Sequence, residues 1–133
     1  MTIREIFEKY KTIAVYGMSK NPAKPSNYVP AFLIEKGYDI IPVNPTANEI
    51  DGRKCYSKMA DIPGEIDILN VFRPSEQALA VVEEAVERRK QRGDIRVVWL
   101  QEGIESEEAA ALAEANGIEF IQDRCMLREY KGL

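Results

Sequence analysis

Thr12-Ile13-Ala14-Val15-Tyr16-Gly17 decides the fold, because it joins a short strand-forming run to a glycine at its end. Its β-branched and aromatic residues favour a buried strand, and a glycine permits a sharp turn or the close approach of a ligand. Upstream, Thr2-Ile3-Arg4-Glu5 has the spacing of a capping box, which marks the start of a helix. The sequence therefore predicts a short helix, a buried first strand and a tight turn at Gly17.

Further strand-like segments alternate with helical patterns along the rest of the chain. The apolar spacing predicts helices that begin at Ser26 or Asn27, at Ser75 and at Ser106, since serine and asparagine commonly cap helices. Strands alternating with helices imply a mostly parallel sheet. We therefore predict an α/β, Rossmann-like, doubly wound domain over residues 1–133, with about five strands and helices on both faces. The later strands are predicted at 38–43, 65–72, 96–100 and 118–121.

Two weaker patterns concern the helix after Ser75 and the end of the chain. Leu79, Val82 and Val86 form the expected buried stripe of that helix, and the charges in residues 83–92 are interpreted as a solvated face. The segment from Asp123 onward is polar and is predicted to end loosely.

Composition narrows the function classes. The chain has 133 residues, 45% of them hydrophobic and 30% charged, with a formal net charge of −4. These values indicate one globular domain and argue against a broadly basic surface for nucleic acid. No apolar run approaches the roughly 18 residues of a membrane span, and the first ten residues lack a secretory apolar core. We expect a cytoplasmic protein with no nucleic-acid or membrane partner.

Histidine is absent, and the two cysteines, Cys55 and Cys125, are far apart in the sequence. Histidine-based catalytic pairs, histidine metal sites and CxxC redox chemistry are thereby excluded. We predict no catalytic residue and no metal ligand. Cys125 follows Arg124, which would lower the pKa of a reactive thiolate; the alternative is that both cysteines are small packing residues.

Four short segments follow the ends of predicted strands and are the candidate ligand site. In doubly wound sheets, ligands bind outside the carboxyl ends of the strands, where such segments converge. They are Gly17-Met18-Ser19, Val43-Asn44-Pro45, Phe72-Arg73-Pro74 and Gln101-Glu102-Gly103.

The first and third segments suit a phosphate. Gly17 admits close approach of the backbone, Ser19 adds a hydroxyl, and a helix N-terminus follows near Ser26. Lys24 and Arg73 would supply positive charge, the arginine in a bidentate manner. The alternatives are a tight turn at Gly17, a surface lysine, and an Arg73 salt bridge. The three-glycine dinucleotide fingerprint and the Walker lysine loop are absent, which weakens NAD binding and NTP hydrolysis.

The second and fourth segments suit other parts of a nucleotide cofactor. Asn44 and Pro45 stand where NAD-binding domains use an acidic residue, so this place fits an adenine face better than an NAD ribose. Gln101 can both donate and accept hydrogen bonds, as an amide-containing arm requires. Trp99 is expected in the core.

These segments, in this order, resemble the small single-domain CoA-binding proteins, which share their fold with the CoA-binding domain of the succinyl-CoA synthetase α subunit. The resemblance implies that coenzyme A is the cofactor. It places phosphate at Gly17, Ser19 and the loop from Lys24 to Ser26, and adenosine near Val43-Asn44-Pro45. Met18 and Gly103, which lie in the strand-end segments, are also predicted to be cofactor-binding residues. The resemblance places Phe72, Arg73 and Gln101 along the cofactor. The matching pieces are 13–19, 28–30, 37–38, 42–45, 71–73, 98–101 and 123–125.

The resulting hypothesis is a non-catalytic module that binds CoA or an acyl-CoA, in a sensory or regulatory role. One alternative is an enzyme that uses Cys125 for acyl transfer or thiol exchange with CoA. A second is an NAD(P)-binding redox-sensing domain, and a third is an interaction scaffold. An exposed helix face is compatible with a homodimer.

Overall fold

A computed structural model describes residues 1–133 as alternating strands and helices. The strands are β1 (Thr12–Tyr16), β2 (Asp39–Val43), β3 (Glu49–Ile50), β4 (Arg53–Lys54), β5 (Ile68–Val71), β6 (Val97–Leu100) and β7 (Glu119–Ile121). The helices are α1 (Ile3–Lys9), α2 (Pro25–Glu35), α3 (Ser75–Arg92), α4 (Glu107–Ala115) and α5 (Met126–Lys131), with a 3₁₀ turn at Met59–Asp61.

Five strands form one parallel sheet in the order β2-β1-β5-β6-β7. The chain adds β2 on one side of β1 and then crosses to add β5 on the other side. The switch point, where ligands of such folds bind, therefore lies between the carboxyl ends of β1 and β5. This confirms the predicted α/β fold with its five-stranded parallel sheet; β3 and β4 pair separately as a small hairpin.

Helices cover both faces of the sheet. Alternate residues of β1 point to opposite faces: Ile13 and Val15 pack with α1, α2 and α5, whereas Ala14 packs with α3 and α4. Trp99 is fully buried on the first face, as predicted for a core residue. No helix has both the length and the apolar character needed to cross a bilayer.

Four of the five helices were predicted, and not all of their starts lie where the sequence placed them. The capping box at Thr2 and Glu5 is present, and the Ser106 hydroxyl accepts a hydrogen bond from the Ala109 amide at 3.1 Å. The predicted cap at Ser26 or Asn27 is wrong, because Lys24 precedes a helix that starts at Pro25. Proline at the first helical position has its φ already set for a helix and gives up an amide that would be unpaired.

Helix α3 also differs from the prediction. Ser75 was expected to cap the helix, but it is the first residue inside it, and Pro74 occupies the cap position. The Ser75 hydroxyl instead accepts a hydrogen bond from the Glu105 amide at 3.0 Å. Val82 and Val86 are buried as predicted, but Leu79 is only half-buried. The buried stripe is completed by small residues: Ala78, Val81 and Ala85.

The segment predicted to end loosely is ordered as α5. Met126 is fully buried, and the Tyr130 ring packs edge-on against Phe7 and Phe32 with centroid separations of 5.5 Å. Edge-to-face aromatic pairs add about 0.5–1.5 kcal/mol each to the burial of their area. The prediction of a loose tail is therefore wrong, because aromatic packing against α1 and α2 holds this end of the chain.

Candidate functional site

The turn at Gly17 joins the ends of three strands. Gly17 has φ +90°, and its amide donates to the carbonyl oxygen of Val43 at 2.8 Å. A β-carbon at Gly17 would lie 2.7 Å from the carbonyl oxygen of Phe72. Glycine is needed here because the backbones after β1 and β5 approach more closely than any side chain allows.

The loop after Gly17 is tied down by its own polar groups. The side-chain amide of Asn44 donates to the Met18 carbonyl oxygen at 2.8 Å, and the Ser19 hydroxyl accepts from the Asn21 amide at 3.0 Å. Met18 as a whole is fully buried and belongs to the core. Asn44 and Ser19 thus hold the loop in place through hydrogen bonds within the protein.

One cavity of about 330 Å³ lies at the carboxyl edge of the sheet. It brings together five of the predicted site residues from three different parts of the chain. The other predicted residues, Met18, Ser19, Val43-Asn44-Pro45, Gly17 and Gly103, are not part of its lining. The cavity is lined by Lys24, Pro25, Ser26, Phe72, Arg73, Pro74, Gln101, Glu102 and Ile104.

Two of the predicted residues outside the lining, Val43 and Gly103, have structural roles in the sheet and in its turns. Val43 is buried at the end of β2, on the far side of β1 from the cavity. Gly103 has φ +86°, and its amide donates to the Asp123 carboxylate at 2.8 Å, which ties the turn after β6 to the turn after β7.

The cavity carries two cations that no protein carboxylate neutralises. Neither Lys24 nor Arg73 forms one of the ion pairs of the structure. The Arg73 guanidinium instead lies over the Tyr16 ring, 5.9 Å from its centroid. The one carboxylate in the lining, Glu102, is paired with Arg128 at 2.6 Å. The predicted alternative of an Arg73 salt bridge is therefore wrong, and the cavity is electropositive.

The N-termini of two helices, α2 and α3, adjoin the same cavity. Pro25 and Ser26 open α2, and Pro74 caps α3. The amide of Ser26 has no acceptor in the protein. Unpaired amides at a helix start carry a partial positive charge that favours anions, and they add to the field of Lys24 and Arg73.

Two amide side chains lie near the cavity inside the sheet. Gln101 directly follows β6, and the buried Asn70 lies within β5. Gln101 is 4% exposed, and its Oε1 accepts from Asn70 Nδ2 and from the Met126 amide, both at 3.4 Å. Asn70 is fully buried, and its Oδ1 has no partner. Sequence reasoning missed Asn70; its signal is a lone amide inside the apolar run 68–72.

The cysteines lie apart from this cavity. Cys55 is buried, and that burial raises the pKa of its thiol, as expected for a packing residue. Cys125 is half-buried at the N-cap of α5 and is not among the lining residues. No three Cys, Asp or Glu side chains cluster so as to hold a metal ion.

Residues 11–131 match a family model described as a CoA binding domain. The chain belongs to the CoA-binding domain family. It is 43% identical over 124 residues to the uncharacterized protein YneT of Bacillus subtilis, a match that covers 93% of this chain and 88% of YneT. These findings confirm the family resemblance.

A solved structure of a hypothetical protein from Pyrococcus horikoshii superposes with a TM-score of 0.91 at 38% identity, covering 98% of this chain and 89% of that one. The chain is also 32% identical over 107 residues to the ADP-forming acetate–CoA ligase II of Archaeoglobus fulgidus. That match covers 79% of this chain but 15% of the ligase. The domain is thus related to one part of a much longer CoA-using enzyme.

Proposed function

We propose that this domain binds CoA or an acyl-CoA at the carboxyl edge of its sheet. The observation that carries the proposal is the presence of both Lys24 and Arg73 in the lining of one cavity. These two cations come from different elements, no protein carboxylate neutralises them, and the domain belongs to the CoA-binding family. CoA is a strongly anionic nucleotide, and its phosphates are the natural counter-charge for such a cavity.

The chemistry of each cation suits a phosphate differently. The planar guanidinium of Arg73 can donate two parallel hydrogen bonds to phosphate oxygens, whereas Lys24 acts as a point charge on a flexible stem. The free Ser26 amide at the start of α2 offers a third donor. Together these groups stabilise a phosphate without any reorganisation of the sheet.

The size of the cavity sets how much of the ligand it holds. Ligand cavities range over roughly 300–1,000 Å³, so a volume of about 330 Å³ accommodates only part of a CoA molecule. In the proposal, the pantetheine arm passes along Phe72 and Gln101. The adenosine lies outside the cavity, across Gly17 toward Val43-Asn44-Pro45.

We propose a binding role without catalysis, in a sensory or regulatory setting. The cavity lining contains no cysteine, and its one carboxylate, Glu102, is held in an ion pair by Arg128. Histidine is absent from the sequence. These features leave the lining with hydrogen-bond donors and charge and without a general base that faces the ligand.

Isothermal titration with CoA, dephospho-CoA and NAD tests the proposal. We expect CoA to bind more tightly than dephospho-CoA, which lacks the 3′-phosphate, and NAD to bind least. Arg73→Gln should weaken CoA binding by about tenfold or more, because a hydrogen bond to a charged group is lost. Arg96→Gln is the matched control, since Arg96 is exposed just before β6 at the opposite edge. Equal binding of the three ligands, or binding of none, would overturn the proposal.

A further inference from the structure

The orientation of the Gln101 amide is set by two donors. Its Oε1 faces the side-chain nitrogen of Asn70 and the backbone amide of Met126, each at 3.4 Å. Both of these groups are donors, and only the oxygen of a glutamine amide can accept. The Nε2 group must therefore point away from Asn70 and Met126.

The Nε2 group of Gln101 has no acceptor within the protein. If Nε2 were fully enclosed, it would be a buried polar atom without a partner, and Asn70 Oδ1 is the only such side-chain atom. Nε2 therefore keeps some exposure, and the opening beside Gln101 is the cavity that this residue lines. The residue as a whole is 4% exposed. A nearly buried donor without a partner gains from any acceptor that a ligand presents.

The surroundings of Gln101 favour an uncharged acceptor over a phosphate. The apolar side chains of Phe72 and Ile104 line the same cavity as Gln101. An anionic group placed against them would lose solvation. A carbonyl oxygen loses far less solvation free energy than an anion does. It also matches the neutral N–H donor of Gln101.

We propose that Gln101 is a specificity-determining residue that donates from Nε2 to a carbonyl oxygen of the uncharged arm of CoA. Asn70 and the Met126 amide are the groups that position it. The inference rests on the proposed function, because it assigns one part of the same ligand to one side chain. Two carbonyl sources share this chemistry: the pantetheine amides of any CoA, and the thioester of an acyl-CoA.

The test is Gln101→Glu, which keeps an oxygen for Asn70 and Met126 and replaces the donor by a second oxygen. Affinities are measured at about pH 8, where a carboxyl is normally ionised, for CoA, acetyl-CoA and adenosine 3′,5′-bisphosphate, which lacks the arm. We expect about a tenfold loss with an arm-bearing ligand and a distinctly smaller loss with the bisphosphate, which meets only the added negative charge. Gln91→Glu, at an exposed position near the end of α3, is the matched control.

Each outcome decides the proposal. A loss with both CoA and acetyl-CoA supports a pantetheine carbonyl, and a loss with acetyl-CoA alone supports the thioester. Unchanged affinity for both, or an equal loss with the bisphosphate, overturns the role of Gln101 while leaving CoA binding intact. If native protein binds none of these ligands, the proposed function fails together with the inference.

Nuclear magnetic resonance on the native protein gives a second test that needs no folded variant. The side-chain amide signals of Gln101 should shift on saturation with CoA or acetyl-CoA and stay in place with the bisphosphate. Signals that stay in place with every ligand that binds would contradict the contact.

Discussion

Gly17 and Phe72 lie so close that a β-carbon on the first would sit 2.7 Å from the carbonyl oxygen of the second. The two residues directly follow β1 and β5, the strands that flank the switch point. Their contact holds the ends of these strands together next to Arg73, which lines the cavity. Glycine at position 17 is therefore required by the packing of the sheet.

Gly17→Ala should destabilise the domain by more than the cost of its backbone conformation. A positive φ costs a residue with a β-carbon about 1–2 kcal/mol, and the clash with Phe72 adds to this. Gly37→Ala is the matched control, since Gly37 has φ +94° with nothing within 4 Å of the added carbon. Urea unfolding of both variants gives the difference. Equal losses of stability would show that the strand ends move apart freely.

Arg88 and Asp94 form an ion pair in which each side chain is 3% exposed. We predict that removing the guanidinium destabilises the domain. The guanidinium is 3.0 Å from the carboxylate and also donates to the carbonyl oxygens of Met59, Ile62 and Gly64 at 2.7, 3.0 and 2.8 Å. Breaking a buried pair by removing one partner costs about 3–5 kcal/mol. Arg88→Met should show a loss of this size in urea unfolding.

The control for Arg88 is Lys90→Met, which removes one exposed positive charge from the same helix. We expect the control to change the free energy of unfolding by about 0.5 kcal/mol or less. A similar small effect for Arg88→Met would mean that the carbonyl oxygens and Asp94 find water when the guanidinium is absent.

The strand pattern was predictable because the buried strands have no polar face. In β5 and β6, nearly every residue is apolar, so the strands stand out without any alternation. Parallel strands place their carboxyl ends at one edge, which is why Lys24, Arg73 and Gln101 could be expected together although they are distant in sequence.

The buried Arg88 and helix α5 could not be predicted from local sequence, because distant partners decide both. Arg88 lies among charged residues on α3 and resembles a solvated residue; the carbonyl groups that surround it come from the segment 59–64. Helix α5 has six residues, too few for a helical period to be evident. Tyr130 is held there by Phe7, more than 100 residues away in sequence.

Cys125 should have no effect on the affinity for CoA. It caps α5 and is half-buried, and it does not line the cavity. Cys125→Ser should therefore change the CoA dissociation constant by less than about twofold, and mass spectrometry of the native protein incubated with acetyl-CoA should give an unmodified mass. An acetyl or CoA adduct that disappears in Cys125→Ser would favour the acyl-transfer alternative over a binding module.

Tyr16 gives the stability of the domain a defined alkaline dependence. Burial, followed by the hydrogen bond that its hydroxyl donates to Glu84 at 2.7 Å, raises its pKa to about 12. The unfolded chain ionises near the ordinary value of about 10. The native state therefore retains the proton more strongly, and the stability that results is complete below about pH 10 and is lost as the pH rises toward about 12.

Tyr16→Phe should accordingly flatten part of the fall in unfolding free energy between about pH 10 and about pH 12. Tyr38, whose pKa burial also raises to about 12, keeps its own contribution in both proteins. Glu84→Gln retains a hydrogen-bond acceptor but removes the negative charge, so it should flatten the profile less than Tyr16→Phe does. The ultraviolet absorbance of tyrosinate follows the ionisation directly. Identical alkaline profiles for native protein and Tyr16→Phe would show that Tyr16 ionises in the folded state as readily as in the unfolded chain.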